Sequence, residues 1–430
     1  MPAILQILIV FAAMLALNRL KVPLGLALVI GGAGLGLWSG RAPADVLGDL
    51  GRAVQSSELW LFVLITALIV EFGRYMTEDA NAAAIVRAVR RWGGRHGVAW
   101  SLMALPSVIG LIPMPAGALF SAPLVDQANE GAPRTPEWKT AVNYWFRHTW
   151  EYWWPLYPGI IVAMSVFKML ETWQFIAAEI LYTPAAMLAG YFLLVRPHME
   201  ALAGPPPPAG PRDRRPLILM LPLAVVVAAS VLLPFALQAL FPRTDPQIRR
   251  MQAMLAGLAV GLAMILWDER HLPRVRVFRD VLKAKSRNVL LTVAGVLVFK
   301  SLLDASGLLP VASQDLLRWH VPAVCAVAGL PLLAGLVTGL TIGFTGTAFP
   351  LVVGLMSATG SGLTPMATLV LAFGFGYAGT MLSPIHLCLV VTRDYFEAPL
   401  LGVYRLVVPC MASVLVVSVL LYSIFHALGW

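Results

Sequence analysis

Arg147, His148 and Glu151 lie within the run NYWFRHTWEYWWPLYPG (143–159), among seven Trp and Tyr residues, with Pro155 and Pro158 at its end. Charge inside an apolar chain usually faces a bundle interior or a water-filled cavity, which makes such a run a functional-site candidate. Arg147 can pair with an anionic ligand, and Glu151, four residues on, can balance Arg147 until a ligand does. Glu151 and His148 are the groups able to carry a coupling proton, since histidine changes charge near neutral pH. On a continuous helix Thr140, Asn143, Arg147 and Glu151 share one face, with His148 at its edge. The alternative is an interfacial helix, because Trp and Tyr collect at headgroup level. The prolines favour the site: an interrupted helix at membrane depth is tolerated where it lines protein or a cavity.

Three further stretches carry similar interruptions. IPMPAGALFSAP (112–123) contains Pro115 and Gly117, TIGFTGTAFP (341–350) contains Thr345, Gly346 and Thr347, and GTMLSPIH (379–386) contains Thr380, Ser383 and His386. Ser383 before Pro384 reads as a helix start, cap and then first residue. Helix starts aim free N–H groups at what precedes them, so several converging starts suit an anion. The substrate-binding set expected from this is Asn143, Arg147, Pro115, Gly117, Thr345, Gly346, Thr347, Thr380 and Ser383; His148, Glu151 and His386 are the ion-coupling set. Lys300 is a further candidate charge. Against these readings, Gly and Thr in membrane helices also mediate close packing. His386 reads equally well as a core histidine, Glu71 and Lys300 as snorkelling side chains at span ends, and Arg393 and Asp394 as an interfacial end.

Metal and catalytic signatures are weak. His148 and Glu151 have a spacing compatible with ligation, but no HExxH pair is present, and no cysteine or second histidine lies near them in sequence. Cys325, Cys388 and Cys410 sit in apolar stretches without zinc or disulfide spacing. No catalytic residue, metal or organic cofactor is expected, only coupling to H⁺ or Na⁺.

The elements that must position these residues are membrane helices. Of 430 residues, 59% are apolar and 12% charged, against about 25% charged in soluble proteins, and the mean hydropathy is +0.79. The fold class expected is all-α, a polytopic bundle of about ten to twelve helices with broken or re-entrant segments. Spans are expected at 2–18, 22–39, 58–73 and 98–111, from the aromatic run to about 168, and at 173–195. The second half is expected to hold 217–240, 251–267, 289–303, 321–340, 364–378 and 400–425. Segment 80–92 reads as a helix lying on the membrane surface, and 308–319 as a short segment of that type. The Pro-rich, basic stretch 196–216 is a linker outside the membrane. It separates two structural repeats, 1–195 and 217–430, each with two broken segments, and paired interruptions in two halves point to a transporter binding site. Basic loops at 87–95, 196–215 and 270–287 suit cytoplasmic segments. The first span shows no small-residue cleavage site and reads as a retained helix. The partners expected are the lipid bilayer and a small organic anion, with a homodimer also compatible; the net charge of +9 does not suggest nucleic acid.

The phrases GLIPMPAGALFSAPLVD, NYWFRHTWEYWWPLYPGI and LSPIHLCLVVTRDYF resemble an uncharacterised family of prokaryotic integral membrane proteins placed in the ion transporter superfamily, beside gluconate, lactate, dicarboxylate and citrate-type permeases. The resemblance covers essentially the whole chain. It implies two repeats with re-entrant hairpins, a place in the inner membrane, and H⁺- or Na⁺-driven secondary transport of an organic anion. The Ser-Asn-Thr signatures of the dicarboxylate carriers are missing, and the family brings no agreed site residues. The expectation is therefore a carboxylate-type secondary transporter. The alternative is a non-transporting membrane protein, either an enzyme on a lipid-linked substrate or a scaffold.

Overall fold

The structure, a computed structural model, describes the chain apart from residues 1, 21, 77–96, 112–117, 129–133, 203–214, 269–283, 309–310, 313–314, 316–318, 320–321 and 358–360. The surface helix expected at 80–92, Pro115 and Gly117, the basic loop at 87–95, most of the basic loop at 270–287 and most of the linker therefore lie outside the described residues, as does much of 308–319; residues 284–287 of that loop are helical. What is described is helical, with no strand among the described residues, and the protein is an all-α membrane bundle.

The opening pair is α1 (Ala3–Arg19) and α2 (Leu24–Trp38), joined by a turn. A short amphipathic α3 (Pro43–Gln55) bends by 49° into α4 (Ser57–Met76). After α5 (Gly97–Gly110) and α6 (Ala118–Ala128) come α7 (Pro136–Arg147) and the nine-residue α8 (Pro158–Val166). Then α9 (Thr172–Glu179) and α10 (Tyr182–Gly190) run on through π and 3-10 turns to Leu202. The second half holds α11 (Arg215–Leu240), α12 (Pro246–Asp268), α13 (Ala284–Ala305) and α14 (Ala323–Thr338). Two short helices, α15 (Thr341–Thr347) and α16 (Phe349–Met356), precede α17 (Pro365–Leu382), α18 (Leu387–Phe396) and the long α19 (Leu400–Ala427).

Four segments among the described residues are long and apolar enough to cross a membrane: Thr172–His198, Ile248–Ile265, Pro365–Phe396 and Leu400–Ala427. The bent α3–α4 pair makes a fifth if counted as one span, and several shorter apolar helices accompany them. The outer face is apolar too. On α19, Leu401 is 67% and Val416 60% exposed, with Leu420 and Ile424 beside them. Such a belt suits lipid, where backbone groups must be satisfied inside each helix.

By contrast α17 is buried along nearly its whole length. Its glycines let α14 approach closely: a Cβ on Gly335 would meet the Gly376 carbonyl and the Thr380 amide, and one on Gly379 would meet the backbone of Leu332. Without a hydrophobic driving force between helices in lipid, such close backbone approach is what holds a membrane pair together.

Gly379→Ala is therefore expected to lower the melting temperature of the detergent-purified protein, the overpacking costing about 1–3 kcal/mol. Gly329→Ala, on the same pair but with open space around its Cβ position, should leave it unchanged or raise it. Equal behaviour of the two would contradict the packing described.

Candidate functional site

Helix α7 begins on a legible signal. Thr135 is its N-cap, accepting from the Trp138 amide at 3.3 Å, and Pro136 is its first residue. Its end differs from the sequence expectation. The helix stops at Arg147, eight residues before Pro155, so Glu151 does not continue its face. His148 provides the physical reason. Its ring Nδ1 donates to the Tyr144 carbonyl at 2.5 Å, the acceptor that its own amide would use in a continuing helix. That amide turns instead to Trp145. A side chain competing for backbone partners in this way ends helices. Other carbonyls at the break are taken up as well. Phe146 O accepts from Ser107 and Thr149, His148 O from the Tyr377 hydroxyl at 3.0 Å, and Thr149 O from Thr183. Side chains supply most of these caps, with the Glu151 amide also reaching His148 O.

The aromatic residues around this break are interior residues. Trp138, Trp145, Trp153 and Trp154 are each no more than 8% exposed, and their ring N–H groups donate to Leu194 O, Ala186 O, the Thr183 hydroxyl and Leu111 O. An interfacial girdle would leave these groups in the headgroup layer, so that alternative does not describe this run.

The break at 383–386 also differs in detail from expectation. Ser383 is the C-cap of α17, with extended backbone (φ −71, ψ 126), and the next helix starts at Leu387 with His386 as N-cap. The His386 amide closes a turn on the Ser383 carbonyl at 3.2 Å, so a turn rather than a helix follows Ser383 and the cap-then-proline reading fails there. Tyr144 and Tyr404 donate to the freed carbonyls of Met381 and Leu382, each at 3.0 Å. Between α14 and α15 the chain turns on Gly339, whose φ of +62 is the left-handed conformation glycine tolerates at a helix end.

These interruptions meet in space. Gly110, at the end of α5, packs against the Arg147 carbonyl, and the Tyr157 hydroxyl donates to Gly110 O. Gly159 in the first turn of α8 faces Thr341, the first residue of α15, with its Cβ position 2.9 Å from the threonine Cβ. The Cβ position of Gly339 lies 3.0 Å from the His386 amide and 3.1 Å from the Ser383 hydroxyl. His148 and His386 touch through their Nε2 atoms at 3.1 Å. A Cβ at Gly110, Gly159 or Gly339 would hold these ends apart.

At their junction Arg147 is 1% exposed, and its Nη1 lies 3.5 Å from Glu151 Oε1. The same carboxylate oxygen is 3.8 Å from His148 Nε2. The hydroxyls of Tyr157, Tyr377 and Thr341 lie against Glu151. Because a carbonyl can only accept, His148 Nδ1 carries a proton, and its neutral ring presents the Nε2 lone pair to His386. His386 must then donate from Nε2. The Cys388 sulfur joins them, and the three potential ligand atoms of His148, His386 and Cys388 lie within 4.8 Å of one another. The cluster thus combines a buried guanidinium, a carboxylate, two imidazoles and a thiol.

Of the residues expected from sequence, the structure brings together Arg147, His148, Glu151, His386 and, beside them, Ser383. Ser383 is fully buried, and its hydroxyl finds no hydrogen-bond partner among the described residues. Asn143 stands one turn before Arg147 and spends its amide on Ala118 O and the Thr392 hydroxyl, both at 3.2 Å. Thr345, Thr347 and Thr380 bond to carbonyls of their own helices, four residues back, and Gly346 packs on Val296. The N-cap of α15 is Leu340, so no threonine caps that start. Lys300 stands apart from the cluster, donating to Ser165 O at 2.9 Å and 3.8 Å from Glu58. Glu71 is buried rather than snorkelling, and Arg393 pairs with its neighbour Asp394. Sequence reading did not find Tyr144, Tyr157, Tyr377 and Cys388 as site residues. Only Tyr144 left a local trace, four residues before His148.

Comparison with known proteins bears on the whole chain. The profile of a family described as a protein of unknown function (DUF401) matches residues 3–425, and the chain belongs to that family. A search of curated proteins gives no match. Among solved structures, the YdaH transporter of Alcanivorax borkumensis is similar in fold: at 16% identity the match covers 89% of this chain and 87% of that one, with a TM-score of 0.53.

Removing one partner of a buried ion pair leaves the other uncompensated, at about 3–5 kcal/mol. Arg147→Ala is expected to lower stability on that scale in detergent, whereas Arg147→Met combined with Glu151→Leu should recover most of it. Chemical denaturation of the three proteins measures this; a stable single variant would show that the pair does not constrain the fold.

Proposed function

We propose that the protein is a secondary active transporter of a small organic anion of carboxylate type, driven by H⁺ or Na⁺, in the cytoplasmic membrane. The observation that carries this reading is Arg147: a full cation enclosed where interrupted helices from both halves of the chain converge. Ionisable groups at such a depth serve ion or substrate pathways far more often than stability, and broken helices are the means by which carriers bring backbone and side-chain dipoles to a midplane site. The similarity in fold to the YdaH transporter supports the same class, as does the resemblance to the ion transporter superfamily. We read 1–195 and 217–430 as two repeats joined by the linker 196–216.

In this reading a substrate carboxylate takes the Arg147 guanidinium in place of Glu151, a planar fork suited to bidentate pairing. The Ser383 and Thr341 hydroxyls stand ready as donors. Once Arg147 is engaged by substrate, Glu151, His148 and His386 are the groups left to face a coupled cation. Asn143 positions the helix end by its bonds to Ala118 and Thr392.

A thermal-shift screen of the detergent-purified protein against small mono-, di- and tricarboxylates, with and without Na⁺, tests the binding step. A ligand specific for the folded state stabilises it by roughly 2.7 kcal/mol at a hundred times its dissociation constant. One carboxylate class should raise the melting temperature, and Ser383→Ala should weaken that response while leaving the ligand-free melting temperature in place. No response to any carboxylate at millimolar concentration would overturn the proposal.

A further inference from the structure

We propose that His148, His386 and Cys388 form a binding site for a thiophilic divalent transition-metal ion of the Zn²⁺ class, completed by the Glu151 carboxylate. This goes beyond the transport reading and needs no anion substrate, although its ligands include the three groups that face the coupled cation in that reading. Nothing in the local sequence announces such a site, because the two histidines are 238 residues apart.

Three observations carry it. The first is spacing. With metal–nitrogen distances near 2.0–2.1 Å and metal–sulfur near 2.3 Å, tetrahedral ligands stand roughly 3.3–3.6 Å apart. The two Nε2 atoms are already 3.1 Å apart and Glu151 Oε1 is 3.8 Å from His148 Nε2. All three His and Cys donor atoms lie within 4.8 Å of one another, so closing the site asks for a shift of up to about 1.5 Å.

The second is orientation. Metal-bound histidines almost always donate their other ring N–H to a carbonyl or carboxylate, which fixes the tautomer. His148 does this through Nδ1 to Tyr144 O at 2.5 Å, leaving the Nε2 lone pair aimed at the cluster. His386 Nδ1 is buried and makes no hydrogen bond among the described residues, so it is open to take the proton that its Nε2 gives up.

The third is chemistry. Two imidazoles and a thiolate select zinc-like ions over Na⁺, Mg²⁺ or Ca²⁺. On binding, the Cys388 thiol releases its proton to solvent, as metal binding to thiols requires. The thiolate and the Glu151 carboxylate then balance the two positive charges of the ion, which leaves Arg147, 3.5 Å from Glu151, with its charge available to an anion. Since His148 belongs to the α7–α8 break and His386 and Cys388 to the α17–α18 break, the ion would tie the two together.

Co²⁺ titration of the full-length, tag-free, detergent-purified protein is the test, since a cobalt–thiolate bond has its own near-ultraviolet charge-transfer absorption. The expected result is a band that saturates at one Co²⁺ per chain and is bleached by Zn²⁺. It should be lost in Cys388→Ser and kept in Cys325→Ser. His386→Gln should weaken Co²⁺ binding by more than about tenfold. Zn²⁺ should also raise the melting temperature of the unmodified protein but not that of Cys388→Ser. Absence of the band in the unmodified protein at millimolar Co²⁺, or its survival in Cys388→Ser, would overturn the site whatever the transport assays show.

Discussion

A guanidinium enclosed by a membrane protein must be balanced and held, or the chain will not keep it there. Arg147, 1% exposed, imposes that condition on its surroundings. Glu151 supplies the counter-charge at 3.5 Å, and the hydroxyls of Tyr157, Tyr377 and Thr341 lie against the carboxylate. The helices that reach this point end there rather than pass through. An ending helix offers its terminal carbonyls or amides, and a polar cluster can use them, whereas a continuous apolar helix offers only methyl groups.

Ending helices inside a membrane protein raises a second problem, because every freed carbonyl needs a donor. Here the donors come from side chains at long sequence distance: Ser107, Thr183, Tyr377, Tyr144 and Tyr404 each bond to a carbonyl at or beside a break. Of these tyrosines, Tyr144 and Tyr377 also stand beside the charged cluster. Capping and site construction are thus one arrangement, and the aromatic richness of residues 143–159 has an interior use. The close glycine contacts at positions 110, 159 and 339 follow from it, since chain ends that share caps must approach within backbone contact. Helix ends joined this way can separate only by exchanging those caps.

The sequence made part of this legible. Apolar runs identified the membrane helices, Thr135–Pro136 marked the start of α7, and Pro384 marked the interruption after α17. Arg147, His148, Glu151 and His386 stood out as ionisable groups in apolar surroundings. What could not be read was settled by contacts between distant segments. The end of α7 at Arg147 depends on the His148 ring reaching Tyr144, a choice no periodicity records. Ser383 ends the helix before it rather than starting the one after, because a turn closed by the His386 amide on the Ser383 carbonyl intervenes. Helices α8 and α15, nine and seven residues long, are too short for a helical period to show. The meeting of Cys388 with His148 is a property of the fold alone.

The central claim is that the charged junction binds an anion whose passage is coupled to a cation gradient. Uptake of a radiolabelled carboxylate by proteoliposomes holding the purified protein, under an imposed Na⁺ or pH gradient, tests it most directly. The account predicts accumulation above the external concentration that collapses when the gradient is dissipated and is missing from vesicles bearing Arg147→Gln. Uptake that ignores both gradients, or that Arg147→Gln leaves intact, would contradict it.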